Sequence, residues 1–158
     1  MGEILFRGKR IDNDEWTEGY LSKRRDLDGK LKHCIDFEEK GVMCSSIVIP
    51  ETVGQFTGLT DKNGKKIFEG DIIKITYNER LTRRLEEEDY ESYTKEFCLV
   101  EQVVFHKGAF CSKVEIEDIP LYRPLGFDIY VKSILKEFEI IGNIHEIPNF
   151  WRCKNERV

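Results

Sequence analysis

No apolar run in the 158 residues approaches the length of a membrane span, and Met1-Gly2-Glu3 leads straight into Ile4-Leu5-Phe6 with no basic region or apolar signal core. A soluble, unexported, cytoplasmic chain with no membrane partner is therefore expected. Phe6 occupies the position where a myristoylation start requires Ser or Thr. No CxxC pair occurs among the 5 cysteines, Cys34, Cys44, Cys98, Cys111 and Cys153, and their odd number suits a disulfide framework poorly. Reduced thiols are the expectation. The sequence also lacks a GxxxxGK phosphate loop, a GxSxG elbow, any internal repeat and any low-complexity segment. These absences remove the commonest nucleotide-binding and hydrolase readings.

What is present fits one packed domain. Hydrophobic residues make up 40% and aromatics 11%, while charged residues reach 35%, above the usual quarter, so the surface should be thoroughly solvated. A domain of this length buries roughly 70% of the surface its unfolded chain exposes. The formal net charge of -5 opposes phosphate, so nucleic-acid binding would need a local basic patch.

The chain reads as mainly β. Short strands are expected over 3–7 and 16–22, where Trp16 and Tyr20 share a face, and a hairpin over 21–37 around Asp28-Gly29. The run Ile47-Val48-Ile49 is stopped by Pro50, which lacks a donor to continue inside a sheet. Asp61-Lys62-Asn63-Gly64 and Glu69-Gly70-Asp71 are turn sequences. Between and after them, Ile73, Ile75 and Tyr77 alternate with Lys74 and Thr76 and are expected in the core. Over 78–97, Leu81 and Leu85 are four apart, as are Tyr93 and Phe97, and Glu86-Glu87-Glu88-Asp89 is a run of like charge. The spacing predicts one charged surface helix there. Strands follow over 98–105, 110–116 and 138–144, with a turn at Gly108, a connection punctuated by Pro120 and Pro124, and a bulge or a close backbone approach at Gly142. Residues 128–136 satisfy neither period.

The string from Pro50 to Leu59, PETVGQFTGL, followed by Asp61-Lys62-Asn63-Gly64-Lys65-Lys66-Ile67 and Glu69-Gly70-Asp71-Ile72-Ile73, resembles the signature of the YopX family of phage and prophage proteins. The likeness extends to Phe6-Arg7-Gly8-Lys9, to Trp16 through Leu21, and to Glu139-Ile140-Ile141-Gly142-Asn143-Ile144-His145-Glu146. Two departures are the long charged segment 78–97 and the ending Ile147-Pro148-Asn149-Phe150-Trp151. The resemblance implies a small, mostly β fold with an SH3-like barrel or roll in the second half and a tendency to self-associate. It carries no catalytic residues and no established biochemical activity. Residues 1–50 are then an N-terminal β-hairpin region packed on the core, and 51–158 the roll with its helical insertion, together one structural unit.

Site chemistry is sparse. His33, Cys34 and Cys44, or His106 and Cys111, are zinc-ligating types without the paired two-to-four-residue spacing that closes a tetrahedron, so small thiols are the plainer reading. Glu69 and Asp71 flank a glycine, which suits a turn better than acid–base work because no histidine can be placed beside them. His106 and His145 are better read as structural strand residues. No cofactor, metal or catalytic residue is expected, and the chain is read as a non-enzyme.

Basic clusters offer more. Arg7, Lys9 and Arg10, then Lys23, Arg24 and Arg25, then Lys62, Lys65 and Lys66 would form a nucleic-acid surface if they converge, with Tyr20, Phe56 or Phe68 as stacking platforms. The alternative is that hairpin lysines are ordinary solvated charges. Aromatics near the ends, Trp16, Phe150 and Trp151, suit either a core or an interface. A self-associating module that binds a phage or host protein is the leading reading, and a nucleic-acid-binding barrel the second.

Overall fold

The computed structural model describes residues 4–84, 90–116, 119–125 and 136–147, and among these described residues the alternation of apolar and polar side chains, cut by Gly- and Asp-containing turns, gives eleven strands and one 3-10 turn. The chain divides into two units, Met1–Leu59 with Lys66–Gly70, and Thr60–Lys65 with Asp71–Val158. Among the described residues no helix is long and apolar enough to cross a membrane.

The first unit is built on a six-stranded sheet. Its strands are β1 (Phe6–Lys9), β2 (Trp16–Arg25), β3 (Leu31–Glu39), β4 (Val42–Ile47), β5 (Gly54–Thr60) and β6 (Lys66–Phe68), in the order β4-β3-β2-β1-β5-β6. Asp26 and Gly29 close the β2–β3 hairpin: Asp26 Oδ1 accepts the amides of Asp28 and Lys30, and Gly29 takes a φ of 74°. The expected Asp28-Gly29 hairpin is therefore present. The β3–β4 turn is Lys40-Gly41, with φ values of 51° and 79°, the left-handed pair that matches strand twist in a two-residue hairpin.

After β4 the chain curls back on β1. Val48 bridges Arg10, the Ile11 amide donates to the Ile47 carbonyl at 3.1 Å, and the Ile49 amide to the Lys9 carbonyl at 2.8 Å. Pro50 then opens the 3-10 turn Pro50–Thr52, so the donor it lacks is not required by a ladder. Ile35, Val48, Ile67 and Phe68 are the buried apolar residues of this unit, with Leu5 and Cys34 beside them. Gly54 is fixed by close approach: a Cβ there would lie 2.3 Å from the Glu69 carbonyl oxygen.

The second unit holds a five-stranded sheet of β7 (Asp71–Arg84), β8 (Tyr90–His106), β9 (Ala109–Ile116), β10 (Ile119–Pro124) and β11 (Lys136–Asn143), in the order β10-β9-β8-β7-β11. Ile73 and Ile75 are buried as expected, and so is Ile72 on the opposite face, where its register partner Gly142 lies under Ile147. The Tyr77 side chain lies outside the described residues. A register shift between Ile140 and Gly142 is the expected bulge.

Three expectations change. Residues 78–84 and 90–97 are not helical but form the long arms of β7 and β8, paired from Ile72↔Gln102 to Arg84↔Tyr90, while 85–89 lie outside the described residues. A spacing of four satisfies a strand as well as a helix, because any even separation returns to the same face. Leu81 accordingly stands opposite Tyr93, and Arg83 reaches Glu91 across the strands at 3.3 Å. Second, the described strands of the second half form an open sheet ending at β10 and β11, not a closed SH3-like barrel; partial closure belongs to the first unit, where Val48 meets Arg10. Third, Pro120 and Pro124 sit within β10, an edge strand, where missing donors face away from the ladder. The segment 126–135, including most of the ambiguous stretch, and Phe150 and Trp151 lie outside the described residues.

Candidate functional site

The polar residues of the 57–75 motif are occupied by backbone. Thr57 Oγ1 donates to the Ile67 carbonyl at 2.9 Å. Asp61 Oδ1 accepts the amides of Asn63 at 2.8 Å and Lys65 at 2.9 Å, and its Oδ2 accepts the Ile140 amide of β11 at 3.3 Å. Burial pushes the Asp61 carboxyl up, and the amides of Lys65, Asn63 and Ile140 outweigh it, leaving the group below its ordinary value. Asp71, buried, receives the Asn143 amide side chain at 3.2 Å, while Asn143 Oδ1 accepts the His145 amide at 3.0 Å. Each acid ties a turn to a strand, as Asx chemistry does.

Asp36 is likewise held low, first by the Ser45 hydroxyl and then by Ser22 and Arg24 against the opposing effect of burial, and Asp12 chiefly by its hydrogen bond from Arg10. All three carboxyls have folded values below their unfolded ones, so the stability they contribute is complete above about pH 4 and is lost as pH falls through the lowered values. The urea midpoint followed by circular dichroism should decline below about pH 4, and Asp61→Asn should shrink that decline. An identical acid limb in the variant would remove Asp61 from the account.

The candidate cations are dispersed and mostly paired. In the first unit Arg7 is buried, its guanidinium 4.5 Å from the Trp16 ring centroid and 4.7 Å from that of Phe68, a cation between two aromatic faces. Phe56 meets Phe68 at 5.5 Å, so this expected stacking pair is part of the same packing. Lys9 pairs with Asp14 at 3.2 Å and lies 5.5 Å from the Trp16 ring; Arg10 forks onto Asp12 at 3.0 and 2.7 Å. Lys66 reaches Glu18 at 3.4 Å. In the second unit Lys62 pairs with Glu139 at 2.6 Å, which raises the lysine's pKa, while Lys65 is exposed at the turn. Arg24 binds Asp36 at 2.8 Å, and Tyr20 is exposed beside it in register. Arg7, Lys9 and Lys66 thus belong to one unit, Lys62 and Lys65 to the other.

One buried acid has a different partner. Glu101 of β8 is fully buried and makes an ion pair with Arg123 of the edge strand β10, whose side chain is 42% exposed. His106 stacks on Tyr122 with centroids 3.8 Å apart. Among the described residues no group of three or more His, Cys, Asp or Glu is placed to hold a metal ion.

Sheet edges differ sharply in protection. β6 is three residues long and starts with Lys66; β10 carries Pro120 and Pro124; β11 is bulged, and the Lys62 amide donates to its Phe138 carbonyl at 2.8 Å. The two-stranded arms of β7 and β8 are dense in Glu, Lys and Arg. Short length, proline, bulges and charge are the usual devices against edge pairing. β4, with the sequence VMCSSI, has none of them, and its Val42 and Met43 are 62% and 66% exposed.

The family model described as YopX protein matches residues 5–151. The chain belongs to the YopX family. No curated protein matches it. Among solved structures, it is similar to the crystal structure of protein EF1440 from Enterococcus faecalis, at 20% identity and a TM-score of 0.45, over 94% of this chain and 97% of that one. In this YopX chain the sequence pattern pointed to lysines at turn tips, and the structure gives Lys62 and Lys66 acidic partners contributed by distant strands. The β4 edge was missed because the sequence read only 47–49 as a strand. The signal was the uncharged run from Gly41 to Ile49.

Proposed function

We propose that this YopX-family protein is a non-enzymatic interaction module of phage or prophage origin that associates with further copies of itself in the bacterial cytoplasm. The unguarded edge of β4 carries the reading: among the described residues it is the strand edge that lacks charge, proline, bulge or cover. An added strand would satisfy outward-facing amides and carbonyls and cover Val42 and Met43. The pairing of Lys9, Arg10, Lys62 and Lys66 with carboxylates favours this reading over phosphate binding, since those charges are already locally offset.

Light scattering at tens of micromolar should give a mass above the 18.6 kDa of one chain. Met43→Pro removes an edge donor that faces away from β3 and should weaken association at least tenfold while leaving the circular dichroism unchanged. A monomeric wild type would sink the proposal; a variant that associates as well as the wild type would take the β4 edge out of it.

A further inference from the structure

We infer that two copies pair along β4 as antiparallel strands about a twofold axis at Cys44, an inference that rests on the self-association reading and specifies its geometry. The hydrogen-bond phase of the β3–β4 ladder sets which groups are offered. The Val48 amide donates to the His33 carbonyl at 3.0 Å, and Cys34↔Ile47 through Glu39↔Val42 continue the same register. Alternation then directs the backbone of Ser46, Cys44 and Val42 toward β3, and that of Met43 and Ser45 outward. Ile47 also faces outward, but its carbonyl already accepts the Ile11 amide. The offered edge is therefore Met43 through Ser45.

A twofold axis maps this edge onto itself in few ways. Centred on Ser45, it would set Met43 against Ile47, whose carbonyl is taken. Centred on Met43, it would set Ser45 against Gly41, which lies in the turn with a φ of 79°. Centred on Cys44, it sets Met43 against Ser45 of the second copy twice, giving four N–H···O bonds and using no occupied group. Charge agrees with this register. Residues 41–49 contain no charged side chain, so Lys40 falls opposite Val48 of the second copy and no like charges meet. A partner of different sequence would gain the same backbone bonds; a second copy also meets an uncharged segment of matching length.

Cys44 provides the readout. At the axis it forms a non-hydrogen-bonded pair with its copy, Cα atoms about 4.5 Å apart, within the roughly 4.4–6.8 Å that a disulfide spans. The full chain carrying Cys98→Ser and Cys153→Ser retains Cys44 as its accessible described thiol, since Cys34 and Cys111 are buried. Copper phenanthroline with dissolved oxygen takes two electrons and two protons from the paired thiols. The expected result is a band of twice the chain mass on a non-reducing gel, reversed by dithiothreitol, lost on adding Cys44→Ser, and reduced at least tenfold by adding Met43→Pro. A dimer by light scattering that does not cross-link, or that cross-links equally with Met43→Pro, overturns the register while the self-association reading stands. A monomer by scattering overturns both.

Discussion

Replacing Arg123 by alanine should destabilise the second unit by about 3 kcal/mol, the lower end for removing one partner of a buried ion pair, because water reaches the partly exposed guanidinium. Glu101 is the reason for so large an effect. Its carboxylate is fully buried on β8, among the described residues Arg123 is its ion partner, and without that partner a charge is left away from water. The paired replacement Glu101→Leu with Arg123→Met removes both charges at similar volume and should restore stability to within about 1 kcal/mol of the wild type, or exceed it. Urea denaturation followed by far-ultraviolet circular dichroism measures all three proteins. If Arg123→Ala unfolds at the wild-type midpoint, Glu101 does not depend on Arg123.

Phe68→Ala should cost about 3–5 kcal/mol in the first unit. Phe68 is fully buried, packs on Phe56, and forms one of the two aromatic faces that enclose Arg7, so truncation opens a cavity beside a largely buried cation. Phe68→Leu retains most of the volume and loses the aromatic face, and should fall between the wild type and Phe68→Ala. Equal loss in the two variants would assign the effect to the cation–aromatic contact; an unperturbed Phe68→Ala would show that Phe68 is not part of the core.

Much of the fold was legible where turn chemistry is unambiguous. Asp28-Gly29, Asn63-Gly64 and Gly70 reverse the chain where expected, and the bulge at Gly142 lies in β11. Long-range pairing was not legible in the same way. Leu81, Leu85, Tyr93 and Phe97 fit a helix and a strand equally by spacing, and only the partner across the hairpin decides. Likewise, an open and a closed sheet use the same alternation, and which edge meets which is a tertiary fact. Lysines 62 and 66 could be located on turns, but Glu139 and Glu18, which neutralise them, are 77 and 48 residues away. Arg7 gave no sign of burial, because it is Trp16 and Phe68, from other strands, that enclose it.

The place of β11 in its sheet bears on the order in which the second unit folds. Phe138 lies opposite Ile75 although more than sixty residues separate them, whereas β7 and β8, and β8 and β9, pair between segments that are near neighbours in sequence. Loop closure must be met before such a distant pairing is rewarded, which slows folding into the regime of β-rich, non-local topologies. On this ground β7–β8 and β8–β9 pairing is expected to precede the docking of β11 on β7. Without β11 the Lys62 amide and Asp61 have no Phe138 and Ile140 to bind, so the bonds that tie the Asp61 turn to the sheet depend on this long-range pairing rather than on the turn's own sequence.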